Sequence, residues 1–147
     1  MELAIILTSE HLHPIFVHFP IAIILLGMVI QLIALKRRNN NFFTDASWYL
    51  LIIGALATIP AYLTGAFLTD ELTGKAGEIQ EIHEHWGLIT LICVLAAALV
   101  ASYIRYKGLQ HTRKQLIVTI LYVLTTIAII ICGYYGGIVA YEFQHIH

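Results

Sequence analysis

The sequence predicts an all-α fold, a four-transmembrane-helix up-down bundle with both termini on the outer side. Three observations carry that expectation. The 147-residue chain is 59% hydrophobic and has a mean hydropathy of +0.82, more apolar content than the polar surface of a soluble domain this size can cover. Four stretches contain no Asp, Glu, Lys or Arg: roughly His11–Leu35, Ala46–Thr69, His85–Ile104 and Gln115–Tyr141. Each is long enough, or nearly so, to cross a hydrocarbon core of about 30 Å as a helix, and a lipid-embedded backbone must satisfy its own hydrogen bonds. Finally, seven of the eight histidines fall on one side of the implied membrane and seven of the eight Lys and Arg residues on the other.

The four helices are expected near 14–36, 46–69, 78–105 and 115–142, as a single domain over 1–147. The N-terminal Met1–Thr8 does not read as a signal peptide, because Glu2 stands where a positive charge belongs and no small-residue cleavage site follows. The first span therefore reads as uncleaved. Its opening, His13-Pro14-Ile15-Phe16-Val17-His18-Phe19-Pro20-Ile21, holds a proline that cannot donate a backbone hydrogen bond and clashes with the carbonyl of Phe16. Two solutions follow: an interfacial turn before a helix beginning near His18, or a kink at Pro20. Either leaves His18 at a break in the helix. The second helix carries Pro60, flanked by Thr58, Tyr62 and Thr64, and reads as a structural kink.

Helices in lipid associate through small residues that allow close approach. Ala57, Ala61 and Gly65 on the second helix, Gly87, Ala97 and Ala101 on the third, and Gly133 and Gly137 on the fourth, with Gly136 and Ala140 beside them, read as packing positions, and Gly87 and Thr90, one and two turns below His83, leave room beside it. Cys93 and Cys132 lie mid-membrane and read as buried apolar thiols. The absence of C-x-x-C-H speaks against covalent haem attachment.

Charge orients the bundle. The first connection carries Lys36, Arg37 and Arg38, and the third Arg105, Lys107, Arg113 and Lys114. The middle one carries Asp70, Glu71, Glu78, Glu81 and Glu84 against Lys75 alone. Short Lys/Arg-rich loops stay cytoplasmic, so both termini should be periplasmic in a bacterial plasma membrane. Trp48, Trp86, Phe42, Phe43, Tyr103 and Tyr106 fall where interfacial aromatic belts belong. No basic tail or Arg-rich face suggests nucleic acid.

The outer face then gathers His11, His13, His18, His83, His85, His145 and His147. His111 falls in the inner basic loop and reads as solvated, as do His11, His145 and His147. At helical spacing Ile79, Ile82, His83, Trp86 and Thr90 form one stripe, while Glu78, Glu81 and His85 form a polar one. His83 is thus expected to face the bundle and His85 water. The first and third helices run in the same direction and lie diagonally in an up-down bundle. Adjacent axes about 8–10 Å apart put diagonal axes roughly 12–14 Å apart. That span suits His18 and His83 as axial ligands of one haem b iron. It is too wide for these two alone to hold a tetrahedral ion, with bonds near 2 Å. A transition-metal ion (Cu, Fe or Zn) held by some of His13, His18, His83, His85, His145 and His147 is the alternative. A cofactor-free structural subunit of a larger membrane complex is a third. No nucleophile–base pair, phosphate loop or intramembrane carboxylate pair supports hydrolytic or phosphoryl-transfer chemistry.

The run His13 to Ala22 closely resembles the opening motif of the bacterial membrane proteins grouped as domain-of-unknown-function family 2231. Thr64-Gly65 before Asp70, His83-Glu84 at the start of the third helix, and Gly136-Gly137 before Tyr141 are similar in order and spacing. The chain departs from that pattern at Gln31, where an acidic residue is frequent, and at Phe143, where a polar one often follows Tyr. The resemblance implies a four-helix integral membrane protein. Its relatives occur joined to cytochrome-like modules, which implies electron transfer. The expectation is therefore a small b-type cytochrome-like carrier rather than a stand-alone enzyme. It would exchange electrons with a quinol and a periplasmic redox protein, alone or as a homo-oligomer. A reporter fused after His147 should score periplasmic; a cytoplasmic score would reverse the assigned orientation.

Overall fold

The structure is a computed structural model that describes residues 9–37, 41–69, 71–109 and 112–143; the side chains of 9–15, 112, 142 and 143 lie outside that description. Four helices account for almost all of it: α1 Ser9–Lys36, α2 Asn41–Leu68, α3 Lys75–Tyr106 and α4 Thr112–Ile138, the last continuing as a π-helical turn, Val139–Phe143. All four are long and apolar enough to span a membrane. Each begins before its charge-free run does. A helix needs apolar side chains only where lipid surrounds it, and its backbone bonds continue through the polar interface.

Helices α1 and α2 form one close hairpin and α3 and α4 another. Contacts of α2 with α3, and of α1 with α4, close the ring, so α1 and α3 are diagonal. Ile24, Leu51, Val94 and Tyr122 are completely buried at its centre. The apolar residues on the outer faces, such as Leu26, Leu56, Leu99 and Ile130, stay exposed, as lipid-facing positions do.

The closest helix approaches use two glycines that the four-residue spacing rule missed. A Cβ on Gly54 would stand 2.7 Å from Ile24 Cγ1, and one on Gly27 would stand 2.0 Å from the Tyr122 hydroxyl. Ala61, Ala97 and Ala101 are buried as expected. Gly133 and Gly137 are not packing positions among the described residues, where nothing lies within 4 Å of a Cβ on either. Their neighbours Cys132 and Gly136 face α3 instead. One residue turns a helix by about 100°, so the small-residue pair was assigned to the wrong face.

At the end bearing the basic loops, polar bonds tie the helices together. Gln31, 1% exposed on α1, accepts from Ser47 Oγ of α2 at 2.7 Å and donates to Thr119 Oγ1 of α4 at 3.0 Å. Trp48 of α2 donates to Ser102 Oγ of α3 at 3.1 Å. Arg105 lies over the Trp48 ring, 4.8 Å from its centroid, and pairs with Asp45. All four helices are thus held at one level. The chain then leaves α3 through a Schellman turn: Leu109 N–H donates to Ile104 O and Gly108 N–H to Arg105 O, both at 3.0 Å, with Gly108 at φ +62°.

The prolines do not break the first helix. α1 runs continuously through Pro14 and Pro20, so the interfacial turn is absent, and Pro20 is buried on the bundle side. In α2, Thr58 and Thr64 around Pro60 donate back to Gly54 O and Ala61 O of their own helix.

The Gly27–Tyr122 contact makes a prediction. Gly27→Ala should lower thermal stability in detergent by an overpacking cost of about 1–3 kcal/mol. Tyr122→Phe in that background should restore part of it, because the hydroxyl leaves while Cζ remains 2.9 Å away. Unfolding followed by circular dichroism checks both.

Candidate functional site

At the opposite end, His83 sits one helical turn before Gly87 and two before Thr90, on the stripe of α3 that becomes buried at Thr90, Val94 and Ala97. Its ring is half-buried and packed on α4. Nδ1 lies 2.9 Å from the Cys132 carbonyl oxygen. The Cys132 thiol reaches back to His83 O at 3.7 Å, and its sulfur is 3.5 Å from Nδ1. The ring can lie so close because position 136 has no side chain: a Cβ there would meet His83 Cε1 at 2.8 Å and Nδ1 at 3.1 Å. Gly87 opens a second flank, where a Cβ would touch Tyr62 at 3.6 Å and the Cys132 sulfur at 3.9 Å. Below it, Thr90 is 3% exposed, and its hydroxyl has no hydrogen-bond partner among the described residues.

The rest of the predicted stripe divides. Trp86 is half-buried with His83, but Ile82 is 40% exposed and Gln80 takes the inward position at 8%. Gln80 accepts from the backbone N–H of Leu72 at 2.9 Å, tying the α2–α3 connection to α3. His85 is exposed beside Glu81 and Glu84; its Nδ1 lies 3.0 Å from Glu81 O, on the wet face expected for it.

On α1 the structure departs from expectation. His18 is exposed, while Pro20, Ile24, Gly27, Gln31 and Ala34 form the buried stripe. At 3.6 residues per turn, position 18 lies about 160° round the helix from Pro20, and position 13 about 20°. An unbroken helix through Pro20 therefore turns His18 away from the bundle and brings position 13 onto its inner line. The side chains of His11 and His13, and all of His111, His145 and His147, lie outside the described residues. Among the described residues, no three of His, Cys, Asp and Glu gather closely enough to hold a metal ion.

Height matters as well as face. The basic-end bonds put Gln31 of α1 level with Ser47, and Trp48 level with Ser102 of α3. His83 stands 19 residues above Ser102, or about 29 Å at 1.5 Å per residue. Position 13 stands 18 residues above Gln31, or about 27 Å, and His18 only about 20 Å. Gly87, one turn from His83, was legible from the spacing on α3; the pairing of Cys132 and Gly136 of α4 with the His83 ring was not. The signal for those two was their i, i+4 spacing on one face of α4.

A family model described as "Predicted membrane protein (DUF2231)" matches residues 9–146. No curated protein and no solved structure matches the chain. The family match covers nearly the whole of a chain folded as four membrane-spanning helices. This multi-pass membrane protein belongs to the DUF2231 family.

Proposed function

We propose that the chain is a small membrane electron carrier that binds one haem b at its histidine end, with His83 as an axial ligand. The observation that carries this reading is the His83 Nδ1 to Cys132 O contact at 2.9 Å. A carbonyl only accepts, so Nδ1 carries the proton and the lone pair resides on Nε2. A ring fixed this way through its other nitrogen is the usual condition of a metal-ligating histidine, because the bond sets tautomer and orientation and raises basicity. The cradle at Gly136 adds support, since it holds the ring in one plane without a competing side chain.

The opposing ligand would come from α1, the diagonal helix. Register and height favour His13 over the His18 expected from the motif. Haem bound there supplies single-electron exchange. His83, oriented by the Cys132 carbonyl, would hold the group from the α3 side. Exposed Glu71, Glu78, Glu81 and Glu84 surround this end, and their field would steer a basic periplasmic partner, more weakly as salt rises. A quinol in the bilayer is the matching donor.

Two measurements test the proposal. In the ligand-free protein, nitrogen NMR of labelled histidine should find the neutral His83 ring protonated at Nδ1, and Gly136→Val should abolish that signature by displacing the ring. Protein purified from haem-supplied cells should show a Soret band that His83→Ala and His13→Ala remove and His18→Ala leaves. A folded protein that stays colourless after loading would rule haem out. Stoichiometric Cu, Fe or Zn without a Soret band would assign the site to a metal ion. Neither cofactor, with other chains co-purifying, would make it a structural subunit.

A further inference from the structure

A second site lies at the far end of the bundle from the histidines. A cavity of about 20 Å³ opens beside Gln31, Ser47, Gln115 and Tyr122, with Thr44 and Arg105 on its polar-interface side. We propose that it binds one water molecule as a built-in part of the fold. A water needs at least about 10–15 Å³ and two to four polar partners, so this volume suits a single molecule. The partners are there. Tyr122 is 0% exposed, Gln31 1% and Ser47 2%, and each brings a polar atom to the same place.

The hydrogen bonds around the cavity are stretched. Tyr122 donates to Ser47 O at 3.3 Å, and Gln31 Nε2 donates to Gln115 Oε1 at 3.4 Å. Both exceed the usual 2.7–3.2 Å range. The neighbouring bonds of Gln31 to Ser47 and Thr119, at 2.7 and 3.0 Å, are normal. Long, weak contacts at the rim of a gap leave hydrogen-bonding capacity that a molecule in the gap takes up. The water accepts from the Tyr122 hydroxyl and donates to Ser47 O and to Gln115 Oε1. It thereby joins α2 to α4 where their direct bonds are weakest. A cation is disfavoured because Arg105 lines the cavity and the only other groups there are neutral. The half-buried Thr44 and Arg105 give a route from the interfacial water.

The test is magnetisation transfer from water to the Tyr122 ring in the full-length protein in lipid bilayers. Transfer to Tyr122 should be well above that to the equally buried Ile24. Gln115→Leu should reduce it to the Ile24 level while the helical spectrum is retained. If Gln115→Leu does not fold, Gln115→Met removes the amide with less change of shape and must give the same loss. Tyr122 transfer no greater than that of Ile24 in the unmodified protein overturns the proposal, as does undiminished transfer in either folded variant.

Discussion

Gln31 sets the frame of this protein. It is a primary amide inside a membrane span, where an unsatisfied polar group costs several kcal/mol. It can be there only because Ser47 and Thr119 meet it from the two neighbouring helices. Each interhelical bond contributes little to stability, about 0.6 kcal/mol on average. Its larger effect is on register. Lipid-facing leucines pack equally well after a slide of one turn, but an amide and two hydroxyls match at one setting. Tyr122 on Gly27 enforces the same setting sterically. With Trp48 on Ser102 and Arg105 against Asp45, the heights of all four helices are fixed at the basic end.

That setting is transmitted to the histidine end by helix rigidity. Between Gln31 and the start of α1, and between Ser102 and His83, the chain is continuous helix. The level of each histidine therefore follows from counting residues up from the basic end. His83 arrives opposite Gly136, where a Cβ would stand 2.8 Å from its ring. Cys132, one turn away, supplies the carbonyl that orients it. The half-buried ring is oriented through Nδ1 by that carbonyl. The exposed carboxylates around it give the same end its negative field. The two ends of the bundle thus differ: polar bonds tie all four helices at one, and at the other the His83 ring packs on α4.

Much of this was legible in the sequence. The charge-free runs marked all four spans, because lipid tolerates few charges and a helix of fixed rise needs a fixed length. The spacing of His83 with Trp86 and Thr90 placed it on the inner side of α3, and that of His85 with Glu81 placed it on the wet side. Ala61, Ala97 and Ala101 were found by the same periodicity. Local pattern was enough in each case because the face of a residue is decided by its own helix.

Where the pattern failed, the deciding partner was on another helix. Proline chemistry suggested either an interfacial turn or a kink at Pro20, with His18 at the break; the turn is absent, and His18 is exposed. Gly133 and Gly137 had the stronger spacing signature, yet Gly136 mattered, because what counts is which face meets the His83 ring. Gln31, Ser47 and Thr119 are far apart in the chain, and nothing in their separate neighbourhoods says that they meet. The amino-acid sequence by itself determined the number of spans, their lengths and the face each histidine of α3 presents, since these follow from hydropathy and a 3.6-residue turn. Only the tertiary structure decided the rotation and height of one helix against the next, because those depend on matching donors, acceptors and shapes across helices that the linear order keeps apart.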